Sequence, residues 1–402
     1  MSLGLFTHSK FRHQSGLSLV ELMVAMVIGL IVSLAVFSVL QTFEGRKRST
    51  TSVNDIDQAG NYALYTLDKL LRSAGSGLSQ SDGAMFGCTL SASKGGTQVL
   101  PRTAALPAPF ATVNTGIANI FKLAPILIVP STGSNNSDAL VIMSGNGGFG
   151  EVATQFSDKP SGAQLKLSNT IGFRGNDLVL INNVSAGPAG TPCLIEQVSP
   201  AFTGGAITDL PLSGQYYNAS INGTGIASYT DVTNTMALNL GNVVAGNPPT
   251  FLVIGVGANN TLFGFDLLQN QNPTNGGAQA SFPIADSVFE LHALYGIDTD
   301  NDGKVNSWTQ ASGNYAPASL TNGSVDAFKR LKTIKAIRIG LIASTSMVES
   351  TIVAPAKITL FPDLDTSLQA TRTFSSTGND LYYRYRTIET TVPLRNQIML
   401  SD

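Results

Sequence analysis

Residues 22–40 form an apolar run of 19 residues with no charge and only Ser33 and Ser38 as polar side chains. About 20 such residues are enough for a helix to cross a bilayer. Further on, Ile56, Ala59, Ala63, Leu67, Leu70, Leu71 and Ala74 recur at spacings of three and four, which marks an amphipathic helix with one buried face. No proline interrupts residues 17–74, so one helix is predicted through both patterns, with Gly75 and Gly77 as its stop. Gly29, Gly45 and Gly60 are expected weak points along it.

After Gly75, short apolar runs alternate with clusters of Gly, Asn, Ser and Pro, the pattern of strands and turns. Strands are predicted at 139–143, 177–181, 194–198, 251–256, 288–295, 334–342, 358–361 and 382–394. Residues 203–247 read as a long decorated loop. There is no second membrane-length run and no internal repeat of fixed period. The expected fold class is α+β: a long N-terminal helix, membrane-spanning in its first half, packed on a β-rich globular head.

Composition adds compartment and exclusions. The charged fraction of the 402 residues is 12%, against about 25% in an average globular protein. With 40 glycines and 43% hydrophobic residues, this suits a loop-rich extracytoplasmic β domain with a sizeable core. A net charge of -2 gives no electrostatic footprint for nucleic acid, and no direct nucleic-acid binding is predicted. Of the three histidines, His8 and His13 lie in the first 16 residues, so a Ser-His-Asp triad could be built only around His292. Cys88 and Cys193 alone cannot make a structural zinc site. No nucleophile–base pair stands out, and the chain is read as a non-enzyme.

Glu21 is the single charge in residues 17–43. A carboxylate in such a helix costs about 2.5–3.5 kcal/mol at mid-membrane, less near the interface, and calls for a partner. A secretory signal would have a shorter apolar region and an Ala-x-Ala site after it, which is absent. A plain anchor with a snorkelling Glu21 fits the length but leaves the carboxylate without a role. Charge does not fix the orientation, because Lys10 and Arg12 precede the run while Arg46, Lys47 and Arg48 follow it.

The stretch Gly16-Leu17-Ser18-Leu19-Val20-Glu21 resembles the class III signal of type IV prepilins: a short basic leader ending in Gly, then an apolar helix with Glu at its fifth position. The resemblance implies cleavage after Gly16 by the prepilin peptidase and methylation of the new amine on Leu17. It also implies pairing of that amine with Glu21 of a neighbouring subunit during assembly. The family usually has Phe and Thr at the first two mature positions, where this chain has Leu17 and Ser18.

Later blocks resemble the PilW family of type IV pilus minor pilins. They are 138–142, 177–181 with Cys193, 284–300, 335–342 and 390–396, in the family's order. The expected domains are a cleaved leader 1–16, a transmembrane and filament-core helix 17–43, an amphipathic continuation 44–74 and a β-rich head 75–402. The resemblance implies a structural minor pilin that initiates pili in a tip priming complex. Its partners would be other minor pilins, a tip adhesin, the major pilin, the prepilin peptidase and the inner-membrane assembly platform. The head would lie in the periplasm, on a single inner-membrane span, and at the pilus tip after assembly, supporting adhesion and twitching motility. The alternatives are a pseudopilin of type II secretion and a tip-borne adhesive or glycan-binding module.

In a periplasmic head, Cys88 and Cys193 are expected to form a disulfide, the alternative being two buried thiols. Asp298, Asp300 and Asp302 at alternate positions, followed by Gly303, resemble the start of a calcium loop. The Lys304 carbonyl and the Asn306 side chain would supply further ligands at positions seven and nine, and calcium is the expected cofactor. Position twelve is Thr309 in place of the usual Glu, and no flanking helices are predicted, so an EF-hand is not expected; an Asx-capped turn is the alternative. Gly145, Gly147, Gly148 and Gly150 read as a flexible hairpin, because no Lys-Ser/Thr follows as in a P-loop. His292 reads as structural. The 380–386 stretch reads as cross-strand aromatic–arginine packing in preference to a sugar- or anion-binding surface.

Overall fold

The computed structural model describes residues 16, 18–78, 85–102, 105–110, 121–148, 152–185, 191–205, 207–269, 281–375 and 378–398. Its chain divides into two compact units, Met1–Asn54 and Asp55–Asp402. The predicted long helix is present as Leu19–Ser73.

Within the first unit, every residue from 18 to 48 is exposed. A helix that is apolar all round and buried against nothing requires an apolar medium outside the chain. Length and composition qualify this segment to cross a membrane.

Within the second unit, the helix has one buried face. Ala63, Leu67 and Leu71 are fully buried and join the main core, and Ile56 is buried as well. Ala59 and Leu70, expected on the same face, are half-buried. Gly60 is no weak point. A Cβ there would run into Ile388 Cδ1, so the glycine allows the helix to lie close on the strand Tyr385–Pro393. Gly75 and Gly77 end the helix as expected, with φ of +76° and +68°.

The rest of the second unit is β-rich. Among the described residues, the largest sheet has eight strands in the order 97–100, 90–94, 193–197, 177–183, 235–242, 154–161, 164–167 and 209–211. Its one parallel pairing sets Leu90 against Cys193. A five-stranded antiparallel sheet contains Ala139–Ser144 and Thr250–Val256. A four-stranded sheet runs Ser307–Thr309, Val288–Ile297, Ile334–Ser344, Tyr385–Pro393.

Strand periodicity explains how the large sheet separates two cores. Leu178 and Leu180 face the main core, while Val179 and Ile181 face a second one with Phe156, Leu165 and Tyr229. The uninterrupted apolar run of this strand is therefore that of a sheet buried on both faces. One prediction is corrected here. The supposed loop 203–247 contains the strand Thr235–Asn242, central in the sheet between Asp177–Asn183 and Thr154–Ser161. Asn239, Gly241 and Asn242 broke the apolar pattern, yet the Asn239 and Asn242 side chains are buried and donate to the Asp177 carboxylate, both at 2.7 Å.

Candidate functional site

The helix begins at a built cap. The Glu21 N–H donates to Ser18 Oγ at 3.2 Å, and the Leu22 N–H donates to the Ser18 carbonyl at 3.1 Å. Ser18 is the N-cap and Glu21 the third helical residue, the Ser-x-x-Glu spacing of a capping box. This reading was missed in the sequence, although the four-residue signal was there. Glu21 is exposed, and its acidic side chain stands in the first turn, where the helix dipole favours negative charge. Gly16 lies two positions before Ser18, and Leu17, between them, lies outside the described residues.

Cys88 and Cys193 form a disulfide, with their Cα atoms 5.7 Å apart and 105 positions between them in sequence. The parallel pairing of Leu90–Lys94 with Cys193–Gln197 brings them together, and the Cys193 N–H donates to the Thr89 carbonyl at 2.9 Å. In the chain-entropy model, closing such a loop stabilises the fold by about 4–5 kcal/mol.

The acidic loop lies at the turn between two antiparallel strands, Val288–Ile297 and Ser307–Thr309. Asp298, Asp300 and Asp302 gather there with one oxygen each within 4.8 Å of the others. Asp298 is fully buried and accepts from the Asp302 and Gly303 N–H groups at 3.3 and 2.9 Å, a turn that Gly303 permits with φ of +83°. Asn306 Nδ2 donates to Asp300 at 2.9 Å, while Asn306 Oδ1 accepts from the Thr299 N–H. The Lys304 ammonium pairs with Asp302 at 3.0 Å and holds that carboxyl below the usual range. Thr309 belongs to the second strand, and its hydroxyl donates to the Gln310 carbonyl.

His292 lies inside an ion cluster. Its Nε2 is 3.2 Å from Glu290, and its Nδ1 is 3.6 Å from Asp138, which makes Glu290 the hydrogen-bond partner and Asp138 an ion-pair partner. Burial alone would lower the imidazole pKa, but these two carboxylates together raise it to about 9. Arg372 completes the balance at 3.1 Å from Glu290. Asp138 also accepts from the Ser131 and Ala293 N–H groups, so the cluster ties the turn after Ile126–Val129 to the strand Val288–Ile297.

The 380–386 stretch follows expectation in part. Tyr385 packs on Phe289 and Phe374, at 5.2 and 4.5 Å between ring centroids. The arginine stacked on those rings is Arg372, whereas Arg384 and Arg386 pair with Glu349 and Asp57. The glycine cluster is not a free hairpin. Gly145 N–H donates to the Ser76 carbonyl, and a Cβ on Gly147 would crowd the Asn239 carbonyl. Gly150 lies outside the described residues.

A capped, unburied apolar helix leading into a disulfide-linked β-rich region is the α+β architecture of a pilin. Residues 11–37 match the family model of the prokaryotic N-terminal methylation motif, and residues 253–396 match that of the Type IV Pilus-assembly protein W, PilW. Together the two matches support a type IV pilus minor pilin of the PilW family. The second covers the resembling blocks from 284 onward and includes the acidic loop, while the blocks at 138–142 and 177–193 fall before it. No curated protein and no solved structure matches the chain.

Proposed function

We propose that this chain initiates pilus assembly. In this reading it is cleaved after Gly16, methylated on Leu17, and gathered with sister minor pilins and a tip adhesin into a priming bundle on the inner-membrane platform. The major pilin then extends the filament beneath it. The head lies in the periplasm before assembly and at the pilus tip afterwards.

The observation that carries this reading is Glu21: an exposed carboxylate in the first turn of an apolar helix whose residues 18–48 are all exposed. Cleavage creates an ammonium on Leu17 four positions away. That ammonium can neutralise the Glu21 of an adjacent subunit, which removes the cost of a lone charge in an apolar bundle and fixes the axial register of the two helices. No step of this function is catalytic. Glu21→Val is expected to leave the protein in the membrane but absent from sheared pili; normal incorporation would contradict the pairing role.

We also infer that the 298–306 loop binds calcium. The convergence of three carboxylates, one of them fully buried, favours a hard cation, and the Lys304 carbonyl and Asn306 side chain would supply further ligands. A bound calcium would neutralise the carboxylates and stiffen the tip of this hairpin.

A further inference from the structure

The apolar run is followed by three consecutive cations, Arg46, Lys47 and Arg48, all exposed and all within the first unit. The assembly reading leaves them without a task. Among the described residues none of the three has an ion-pair partner, and Glu44, one turn before Arg48, forms no ion pair either.

Their placement is specific. From Glu21 to Phe43 the helix rises about 33 Å, close to the roughly 30 Å of a bilayer's hydrocarbon core. Phe43 then falls at the interface, where aromatic side chains favour the headgroup boundary. Arg46 to Arg48 follow about 4–8 Å further on, within a headgroup layer about 5–8 Å thick. Successive residues turn by about 100° on a helix. The three side chains therefore fan around more than half of its circumference, as a collar and not a stripe.

We propose that this collar binds the phosphate headgroups of anionic phospholipids in the leaflet through which the helix leaves the membrane. Arginine is suited to two-point contact with phosphate, and lysine adds a point charge. The contact would set the depth of the helix and hold the subunit in the membrane until assembly withdraws it. This inference rests on the membrane-spanning reading of residues 17–43.

The test uses the full-length chain reconstituted in vesicles of phosphatidylcholine, with and without phosphatidylglycerol, followed by native mass spectrometry of retained lipid. The intact chain is expected to hold phosphatidylglycerol over phosphatidylcholine by roughly tenfold or more. The R46Q/K47Q/R48Q variant should lose most of that preference, while Lys69→Gln, a cation outside the collar, should keep it. Equal retention of the two lipids, or an undiminished preference in the triple variant, overturns the proposal. Complete displacement of the lipid by inorganic phosphate would mark a free-anion site and overturn it too. Carbonate extraction of the same vesicles separates the two failures. A chain that washes out refutes the membrane span and the collar with it, whereas a chain that stays embedded without lipid preference refutes the collar alone.

Discussion

Arg386 grips Asp57 at two points, Nε to Oδ1 at 2.9 Å and Nη2 to Oδ2 at 3.1 Å, across 329 positions of sequence. The pair joins the head's part of the long helix to the strand Tyr385–Pro393. Both side chains are substantially solvated, so the pair orients the seam more than it stabilises it.

The seam is instead held by burial. Leu67 is fully buried in the main core, and Leu67→Ala is expected to cost about 2–5 kcal/mol through lost transfer energy and the cavity left behind. Arg386→Ala should barely move the melting temperature. Thermal or urea unfolding of the two variants compares them directly, and equal losses would contradict a seam held by packing.

The head should weaken toward alkaline pH. Glu196 is fully buried in the strand Cys193–Gln197, and burial raises its pKa from 4.5 to about 8, against the opposing pull of the Asn218 N–H. The folded state thus holds a proton that the unfolded state releases. The stability this provides is complete below 4.5 and is lost as pH rises toward 8. His292 adds the same sign in a higher window, from 6.5 to about 9. Melts between about pH 5 and pH 9 should therefore show falling stability. Glu196→Gln, which keeps an acceptor for the Asn218 N–H, should flatten the lower part of the slope by an amount on the order of a few kcal/mol. An unchanged slope would show that Glu196 does not carry it.

Calcium should raise the melting temperature and release heat on binding. Asp300→Asn with Asp302→Asn should abolish both effects. Lys304→Ala should tighten binding, because it removes the ammonium that competes for Asp302 while keeping the backbone carbonyl. Absence of heat and of any melting shift in the intact chain would remove the calcium assignment.

Much of the fold was legible where one physical signal dominated. Ala139–Ser144 and Asp177–Asn183 were found because a strand buried on both faces must be apolar throughout. The helix was found from its two periodicities and its glycine stop. Thr235–Asn242 was missed because buried Asn239 and Asn242 are satisfied by Asp177, a contact 62 positions or more away that no local pattern announces. Gly60 was misread for a related reason: its lack of a side chain answers to Ile388, not to helix propensity. At the acidic loop the carboxylate spacing was legible, but the use of the Lys304 ammonium against Asp302 was not, since the spacing gave it only a carbonyl role.

The central claim concerns the start of the mature chain, and one measurement reaches it directly. Protein purified from cells assembling pili is subjected to N-terminal sequencing and intact-mass spectrometry. The account predicts a first residue of Leu17 carrying one methyl group on its amine, with Ser18 and Glu21 following at positions two and five. A functional protein that still carries residues 1–16 would contradict it, because the Leu17 nitrogen would then be a peptide amide and not an ammonium able to meet Glu21.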